Sequence, residues 1–366
     1  MMKKYLIPIL IFLAFICLYA GISAYQNNYF LFLPVWDIAH YVSISETGYQ
    51  VYPCTPGVEY PAGKICGNAG WHPFWPLVIK LFRPILGNSS RTAFIVLSIF
   101  FTLLSLLILY RFVEKKFGRR DAIITALALS FGPASFYFLT GFPYAILIFL
   151  FAVYIWLFYE SEGMKRDIGL FLTALAISLT YPSGILFACI PLVKSISSAL
   201  KSRQEVRFKI PWKRAAIQVL PFILGPLLLW GYFYFRFDDF FLQLHFQEKY
   251  QRTWAIPFEI IFNSFAHQPL LSPENVSIIW YGLVFLLFIP AKIEPELWIA
   301  ALVLYLFSPA TGTTMSIYRH YLIIFPAYLM IGTSRRPVWL RLCFIAVGLI
   351  LALIILFPLF ISSKLI

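Results

Sequence analysis

The chain has 366 residues, 61% of them hydrophobic, 19% aromatic and 12% charged, with a formal net charge of +13. Soluble domains average about half apolar and about a quarter charged residues, so this composition excludes an ordinary water-soluble domain and points to a membrane protein. The positive balance does not point to nucleic acid as a partner, because the cations lie in short clusters between apolar runs.

The first apolar run, 5–24, follows Lys3 and Lys4. It is long and has no small-x-small cleavage site, which marks an anchor and not a cleaved leader. PVWDIAHY, 34–41, comes next. Pro34 serves as a helix start and Gly48 as a stop, with Asp37, Tyr41 and Ile44 recurring between them at helical spacing. Trp36 and His40 are four apart, and Asp37 and His40 three apart, so each pair shares a strip of the helix. Two readings stay open. The helix lies at the membrane interface and points a carboxylate and an imidazole into a cavity, or Asp37 caps it and Trp36 anchors in the headgroups. Cys54 and Cys66 bracket CTPGVEYPAGKIC. An oxidising outer compartment would join them, and two free thiols are the alternative. GWHPFWPLVIKLF, 70–82, forms a rigid aromatic corner around His72 before an amphipathic helix, either as a binding element or as an aromatic belt.

A spanning helix needs ~20 apolar residues. Further apolar runs cover 92–112, 122–139, 143–159, 215–235, 276–291, 296–310, 321–333 and 338–360. The run 168–194 is too long for one crossing and carries Tyr-Pro-Ser-Gly at 181–184, so it reads as two short helices. The sum is about eleven crossings, several short enough to be broken or buried. Lys115, Lys116, Arg119 and Arg120, then Lys165 and Arg166, then Lys194, Lys201, Arg203, Arg207, Lys209, Lys213 and Arg214, and finally Arg335, Arg336 and Arg341 punctuate these runs. With the N-terminus in the cytoplasm, all of them face the cytoplasm. The outer side then keeps 25–91, 236–275 and 311–320. All five histidines fall there, with Asp37, Glu46, Glu59, Asp238, Asp239 and Glu248.

In FRFDDFFLQLHFQEKYQRTWAIPF, 235–258, Asp238 reads as the cap of the helix that follows. Gln243 and Gln247 are four apart, as are Glu248 and Arg252, the latter pair a surface contact or the lining of a polar cavity. In SIYRHYLIIFP, 316–326, Arg319 and His320 stand at the outer mouth of an apolar helix. An outer-face Arg runs against the charge rule, and its planar fork fits a phosphate. The alternative is snorkelling to ordinary lipid phosphates. There is no glycine-rich phosphate loop, H-E-x-x-H, C-x-x-C or G-x-S-x-G, and the histidines have no zinc spacing. No cofactor is therefore required. A divalent metal is possible without being indicated, and the energy for any transfer comes from the substrate.

Trp36-Asp37-x-x-His40-Tyr41 followed by Gly48-Tyr49 resembles the first outer loop of GT-C glycosyltransferases of the glycosylphosphatidylinositol mannosyltransferase II type. The corner His72–Pro76, the polar segment Gln243–Trp254 and the run Arg319, Tyr321, Phe325, Pro326 are similar to family elements in the same order, over most of the chain. The length fits a prokaryotic member. The resemblance implies one polytopic, all-α GT-C bundle over 1–366 with interfacial helices in its first outer loop. It implies a polyprenyl- or dolichyl-phosphate mannose donor, inverting transfer to a lipid, glycan or protein acceptor outside the cell membrane, and Asp37 as general base. Trp36, His40, Tyr41, His72, Gln247, Arg252, Arg319, His320 and Tyr321 would bind substrate. Two departures stand out. The segment between Tyr49 and Trp71 is an insertion, and Tyr181–Gly184 stands where a more polar Arg-Ser-Asn-Gly-like element is expected. The rival readings are a transporter or flippase of lipid-linked sugars, expected to show inverted repeats, and an oligosaccharide ligase or polymerase with a lipid-diphosphate donor.

Overall fold

The computed structural model describes residues 4–26, 36–55, 63–202, 212–250, 252–362 and 365. Lys3, Pro34, Glu59, Arg203, Arg207 and Lys209 lie outside these, as do the side chains of Lys201, Lys213 and Arg214. Helix α1 (Leu6–Tyr25) is followed by α2 (Asp37–Thr47), which stops where Gly48 turns to φ +80°. A two-strand antiparallel hairpin, β1 (Val51–Pro53) and β2 (Ile65–Gly67), sets Tyr52 opposite Cys66. Cys54 and Cys66 form a disulfide across it, their Cα atoms 4.9 Å apart. Then come α3 (Phe74–Phe82), α4 (Ser90–Phe117) and α5 (Arg119–Phe131). The Ser89 hydroxyl caps α4 by accepting from the Thr92 amide at 3.2 Å.

Helices α6 (Tyr144–Glu160), α7 (Met164–Thr180), α8 (Cys189–Ser202) and α9 (Trp212–Phe237) follow. Beyond them lie α10 (Leu242–Gln247), α11 (Pro257–His267), α12 (Pro273–Leu287), α13 (Pro295–Ala310) and α14 (Ile317–His320). The chain closes with α15 (Phe325–Thr333), α16 (Val338–Leu351) and, after a π turn at Ala352–Leu356, α17 (Phe357–Ile361).

Proline dictates where the apolar runs break. The run 168–194 splits at Tyr181, which is extended (φ −151°, ψ 143°) because Pro182 disfavours the helical region before it. A 3-10 turn, Pro182–Ala188, leads on into α8. Proline also stands beside the breaks in two runs expected to be continuous. The run 122–139 ends its α-helix at Phe131, where Gly132 precedes Pro133, and resumes as a 3-10 turn at Ser135–Phe138. The run 321–333 is a 3-10 turn to Ile323 and then α15, which carries Pro326 in its first turn.

Among the described residues, five helical stretches are long and apolar enough to cross a membrane: Leu6–Tyr25, Ser90–Phe117, Pro182–Leu200, Ala215–Phe237 and Val338–Ile361. Helices α6, α12 and α13 are shorter apolar helices. The molecule is a helical, polytopic membrane protein. Small residues bring its helices close, as expected where lipid supplies no hydrophobic drive for helix association. A methyl group at Gly332 of α15 would overlap Thr125 of α5, and one at Gly225 of α9 would overlap Ser178 of α7.

Two ion clusters tie helix ends together. Asp121, at the start of α5, is 1% exposed and accepts from Arg341 at 3.1 Å and Lys292 at 2.7 Å. Lys116 meets Glu294 at 3.0 Å, Lys194 meets Glu296 at 3.1 Å, and the Tyr159 hydroxyl donates to Glu296 at 2.8 Å. Several cations of the basic clusters are thus neutralised in pairs.

Candidate functional site at the meeting of helix 2 and helix 14

Two short helices present the polar groups. Each begins just after a non-glycine residue in the left-handed region: Trp36 (φ 49°) before α2 and Ser316 (φ 60°) before α14. Such conformations cost about 1–3 kcal/mol and persist where packing over-determines them. Trp36 is held edge-on to Phe360 of α17, their ring centroids 5.6 Å apart. The strained turn at Trp36 starts α2 at Asp37 and sets the carboxylate in the first turn, where the helix dipole favours an anion.

That carboxylate meets Arg319 of α14, Nη1 to Oδ2 at 3.0 Å. The acid side chain keeps 26% of its surface exposed and the guanidinium 11%. Arg319 also lies over the Phe142 ring, 5.5 Å from its centroid, and its Nε is buried with no partner among the described residues. The snorkelling alternative for Arg319 is thus replaced by an ion pair. Of the other α2 residues, Tyr41 and Ile44 are buried on the face they share with Asp37. Tyr41 lies within electrostatic reach of Asp37, Tyr181 and Arg319. His40 stacks on Trp71, centroids 3.7 Å apart at 15°. Burial draws its imidazole below the usual value, against the pull of Asp37.

His320 takes a different partner. Its Nδ1 is 2.5 Å from the Tyr181 hydroxyl, which in turn lies 3.3 Å from the Tyr144 hydroxyl. Burial, then the Arg252 and Arg319 cations, hold the His320 imidazole well below its ordinary value, so it is neutral at physiological pH. Beside it opens a cleft of about 60 Å³ lined by Tyr181, Ser183, Arg252, Ser308, Thr311 and His320, among others. Three buried polar atoms at this cleft have no partner among the described residues: Arg252 Nε, His320 Nε2 and Ser183 Oγ. Arg252 is carried on a strap, 252–256, pinned along the end of α13. The Ala255 amide donates to the Ala310 carbonyl at 3.0 Å, and Gly312 backs onto Thr253.

The remaining expected site residues lie further back. Gln247 is half-buried against the loop before α3, close to Gly70. His72 is 2% exposed, and its Nδ1–H donates to the Ser178 carbonyl at the end of α7 at 2.9 Å, leaving Nε2 bare. Tyr321 is fully buried, stacked on Tyr305 and edge-on to Tyr281. Neither ring is exposed. The expected Glu248–Arg252 contact does not form. Glu248 pairs with Lys64 at 3.2 Å, because the helix ends within a 3-10 turn at Glu248–Tyr250 before reaching Arg252. Asp238 is not the cap either. It turns to φ 55°, and Asp239 instead accepts from the Phe241 amide at 2.9 Å and pairs with His245 at 2.7 Å. Tyr181 and Ser183 were missed as site residues, and the only sequence signal for them is the Tyr-Pro-Ser-Gly break. Among the described residues, no three His, Cys, Asp or Glu side chains gather as a metal cluster.

His72 gives a pH prediction. Burial pushes its imidazole down to about 4 from an unfolded value of 6.5. Folding then favours the neutral ring, so its contribution is fully present above pH 6.5 and is lost as pH falls toward 4. The full loss is on the order of 3 kcal/mol. Thermal melts in detergent should show the wild type losing stability across that window relative to His72→Asn, whose amide can replace the Nδ1 donor. Parallel pH curves would sink this assignment.

Comparison with known proteins places this geometry in a wider frame. No curated protein matches the chain. The family description for dolichyl-phosphate-mannose-protein mannosyltransferases matches residues 71–230, less than half the chain. Among solved structures, ArnT from Cupriavidus metallidurans bound to undecaprenyl phosphate superposes with a TM-score of 0.51 at 16% identity, over 78% of this chain and 55% of that one. The apo oligosaccharyltransferase of Archaeoglobus fulgidus superposes with a TM-score of 0.50 at 12% identity, over 99% of this chain and 56% of that one. The chain has the GT-C fold. It spans little more than half the length of these two GT-C structures, and at such identities the likeness is one of fold alone. Within the GT-C bundle of this chain, α2, the Tyr181 break, the 252–256 strap and α14 converge around Asp37 and Arg319.

Proposed function

We propose that this chain is a membrane glycosyltransferase, acting as one transmembrane domain over its length. It moves a sugar, taken from the family likeness as mannose, from a polyprenyl- or dolichyl-phosphate donor to an extracytoplasmic lipid, glycan or protein, with inversion. The observation that carries this reading is the 3.0 Å contact between Asp37 and Arg319, next to a cleft with unpartnered Arg252 and His320 nitrogens. That the ArnT structure holds undecaprenyl phosphate supports a lipid phosphate as the donor's carrier.

In this reading the donor phosphate lies against Arg319, Arg252 and His320, with its prenyl tail among the apolar helices. Asp37 removes the acceptor hydroxyl proton on the sugar face opposite the phosphate. The acceptor oxygen bonds to the anomeric carbon as the bond to the phosphate oxygen breaks, and the electron pair leaves with the phosphate. Donors aimed at the developing charge and a positioned base each supply orders of magnitude in rate. Trp36, His40 and Tyr41 shape the sugar pocket, Gln247 closes it from the α10 side, and His72 and Tyr321 brace it from behind. The N-terminus and the Asp121 network face the cytoplasm, and the site faces outward.

The test is incubation of purified protein in nanodiscs with polyprenyl-phosphate mannose, followed by donor consumption or hydrolysis. A transporter would consume none, and a ligase would need a diphosphate donor. Arg252→Gln is expected to raise the KM for the donor by about ten-fold, the worth of one charge-assisted hydrogen bond. An unchanged KM would remove Arg252 from the phosphate site.

A further inference from the structure

Arg319 carries its donors on more than one edge of a rigid plane. One of them, Nη1, is committed to Asp37 at 3.0 Å, while Nε is buried and has no protein partner. Buried donors without partners are uncommon and costly, on the order of 1–3 kcal/mol. The same side chain is 11% exposed and pinned over Phe142, so it has little freedom to leave either neighbour. Arg252 and His320 lie within electrostatic reach of it, on the side of the cleft.

We infer that Arg319 is a bridging positioning residue: one edge of its guanidinium holds the base Asp37 while Nε binds an oxygen of the donor phosphate. The inference rests on the reading above, that the donor carries a phosphate. A phosphate bound this way competes with nothing already present, since Nε is free and the bond to Asp37 stays. The plane then acts as a ruler. With hydrogen bonds of ordinary length on two of its nitrogens, the carboxylate and phosphate oxygens stand roughly 6–8 Å apart. Carboxylate pairs of inverting glycosidases stand about 6.5–9.5 Å apart, because an incoming oxygen and a sugar ring must fit between them. One side chain would therefore set the spacing that an inverting displacement needs. It would also couple the two substrates, because the donor aligns the base before the acceptor arrives. A lysine at this position keeps the charge but offers a single point, so it can serve one partner or the other and not the span between them.

The experiment measures undecaprenyl-phosphate binding in nanodiscs for the wild type, Arg319→Lys and Asp37→Asn. Alongside it, kcat is measured with polyprenyl-phosphate mannose for the wild type and Arg319→Lys, with and without added guanidinium ion. Bridging predicts that Arg319→Lys weakens binding about ten-fold, lowers kcat by about 100-fold or more, and recovers part of kcat with guanidinium. It predicts that Asp37→Asn binds undecaprenyl phosphate within about three-fold of the wild type. A third readout needs no variant. Carbodiimide labelling of Asp37 in the wild type, followed by mass spectrometry, should stay low when undecaprenyl phosphate is bound. Labelling that rises on binding, or tighter binding by Asp37→Asn, would show that phosphate and carboxylate compete for the guanidinium and would overturn the bridge. A kcat of Arg319→Lys within three-fold of the wild type would overturn it too. Failure of the wild type to bind undecaprenyl phosphate would overturn the underlying phosphate-donor reading as well.

Discussion

Asp37→Asn is expected to lower sugar transfer by about 10²–10⁴-fold, the range for loss of a positioned general base, while expression, membrane insertion and the melting temperature stay near those of the wild type. The substitution preserves shape while removing the carboxylate's charge and, in the proposed reading, its ability to take the acceptor proton. The fold should tolerate it. Asp37 keeps a quarter of its side-chain surface exposed and shares its helix with the buried anchors Ile38, Tyr41 and Ile44. The Asn carbonyl can still accept from Arg319, which limits the cost of leaving the guanidinium without its counter-charge. The measurement pairs donor turnover with a thermal melt of the same preparation. Turnover at the wild-type rate by a well-folded Asp37→Asn protein would end the proposal that this carboxylate is the base.

The second large effect concerns stability and lies away from the site. Asp121→Ala is expected to destabilise the protein by about 3–5 kcal/mol, because it strands Arg341, 1% exposed, as a buried charge without its carboxylate. Asp121 joins three parts of the chain: the start of α5, the loop carrying Lys292 and the start of α16. Arg341 also donates to the Gly332 carbonyl in α15, so the stranded guanidinium would keep only a neutral partner. Removing both charges should be milder than removing one, since the cost comes from the unpaired ion. Asp121→Ala with Arg341→Met is therefore expected to regain a large part of the lost melting temperature. A single Asp121→Ala variant that melts with the wild type would show that the pair contributes nothing measurable.

How much of this was legible in the sequence depended on whether a signal was local. The break at Tyr181–Pro182 was legible because proline acts on the residue before it. The breaks at Gly132–Pro133 and ahead of Pro326 were not legible, since unbroken apolarity on both sides masked them. The start of α2 near Asp37 followed from helical spacing, and Arg319 stood out because a cation there opposed the charge rule. Neighbouring acids were harder to tell apart. Asp238 and Asp239 look alike in sequence, yet the first adopts a left-handed backbone, the second accepts from the Phe241 amide, and α10 starts after Phe241 with no side-chain cap. The i,i+4 rule proposed Glu248–Arg252, but it holds only while the helix continues, and here it does not. Non-local pairings left no trace at all. Nothing in the sequence joins Lys64 to Glu248, Asp121 to Arg341 or Tyr181 to His320, since each depends on how distant segments pack.

The turn after α13 limits which residues the chain can tolerate there. Gly312 sits at φ +82° with its α-carbon pressed against the backbone of Thr253, one residue beyond Arg252. Any side chain there would meet both a backbone penalty and the Thr253 carbonyl. A side chain at Gly312 is therefore expected to push on the strap that carries Arg252. If Arg252 holds the donor phosphate as proposed, substitution at this turn, next to the cleft residue Thr311, is expected to raise the donor KM before it lowers the melting temperature.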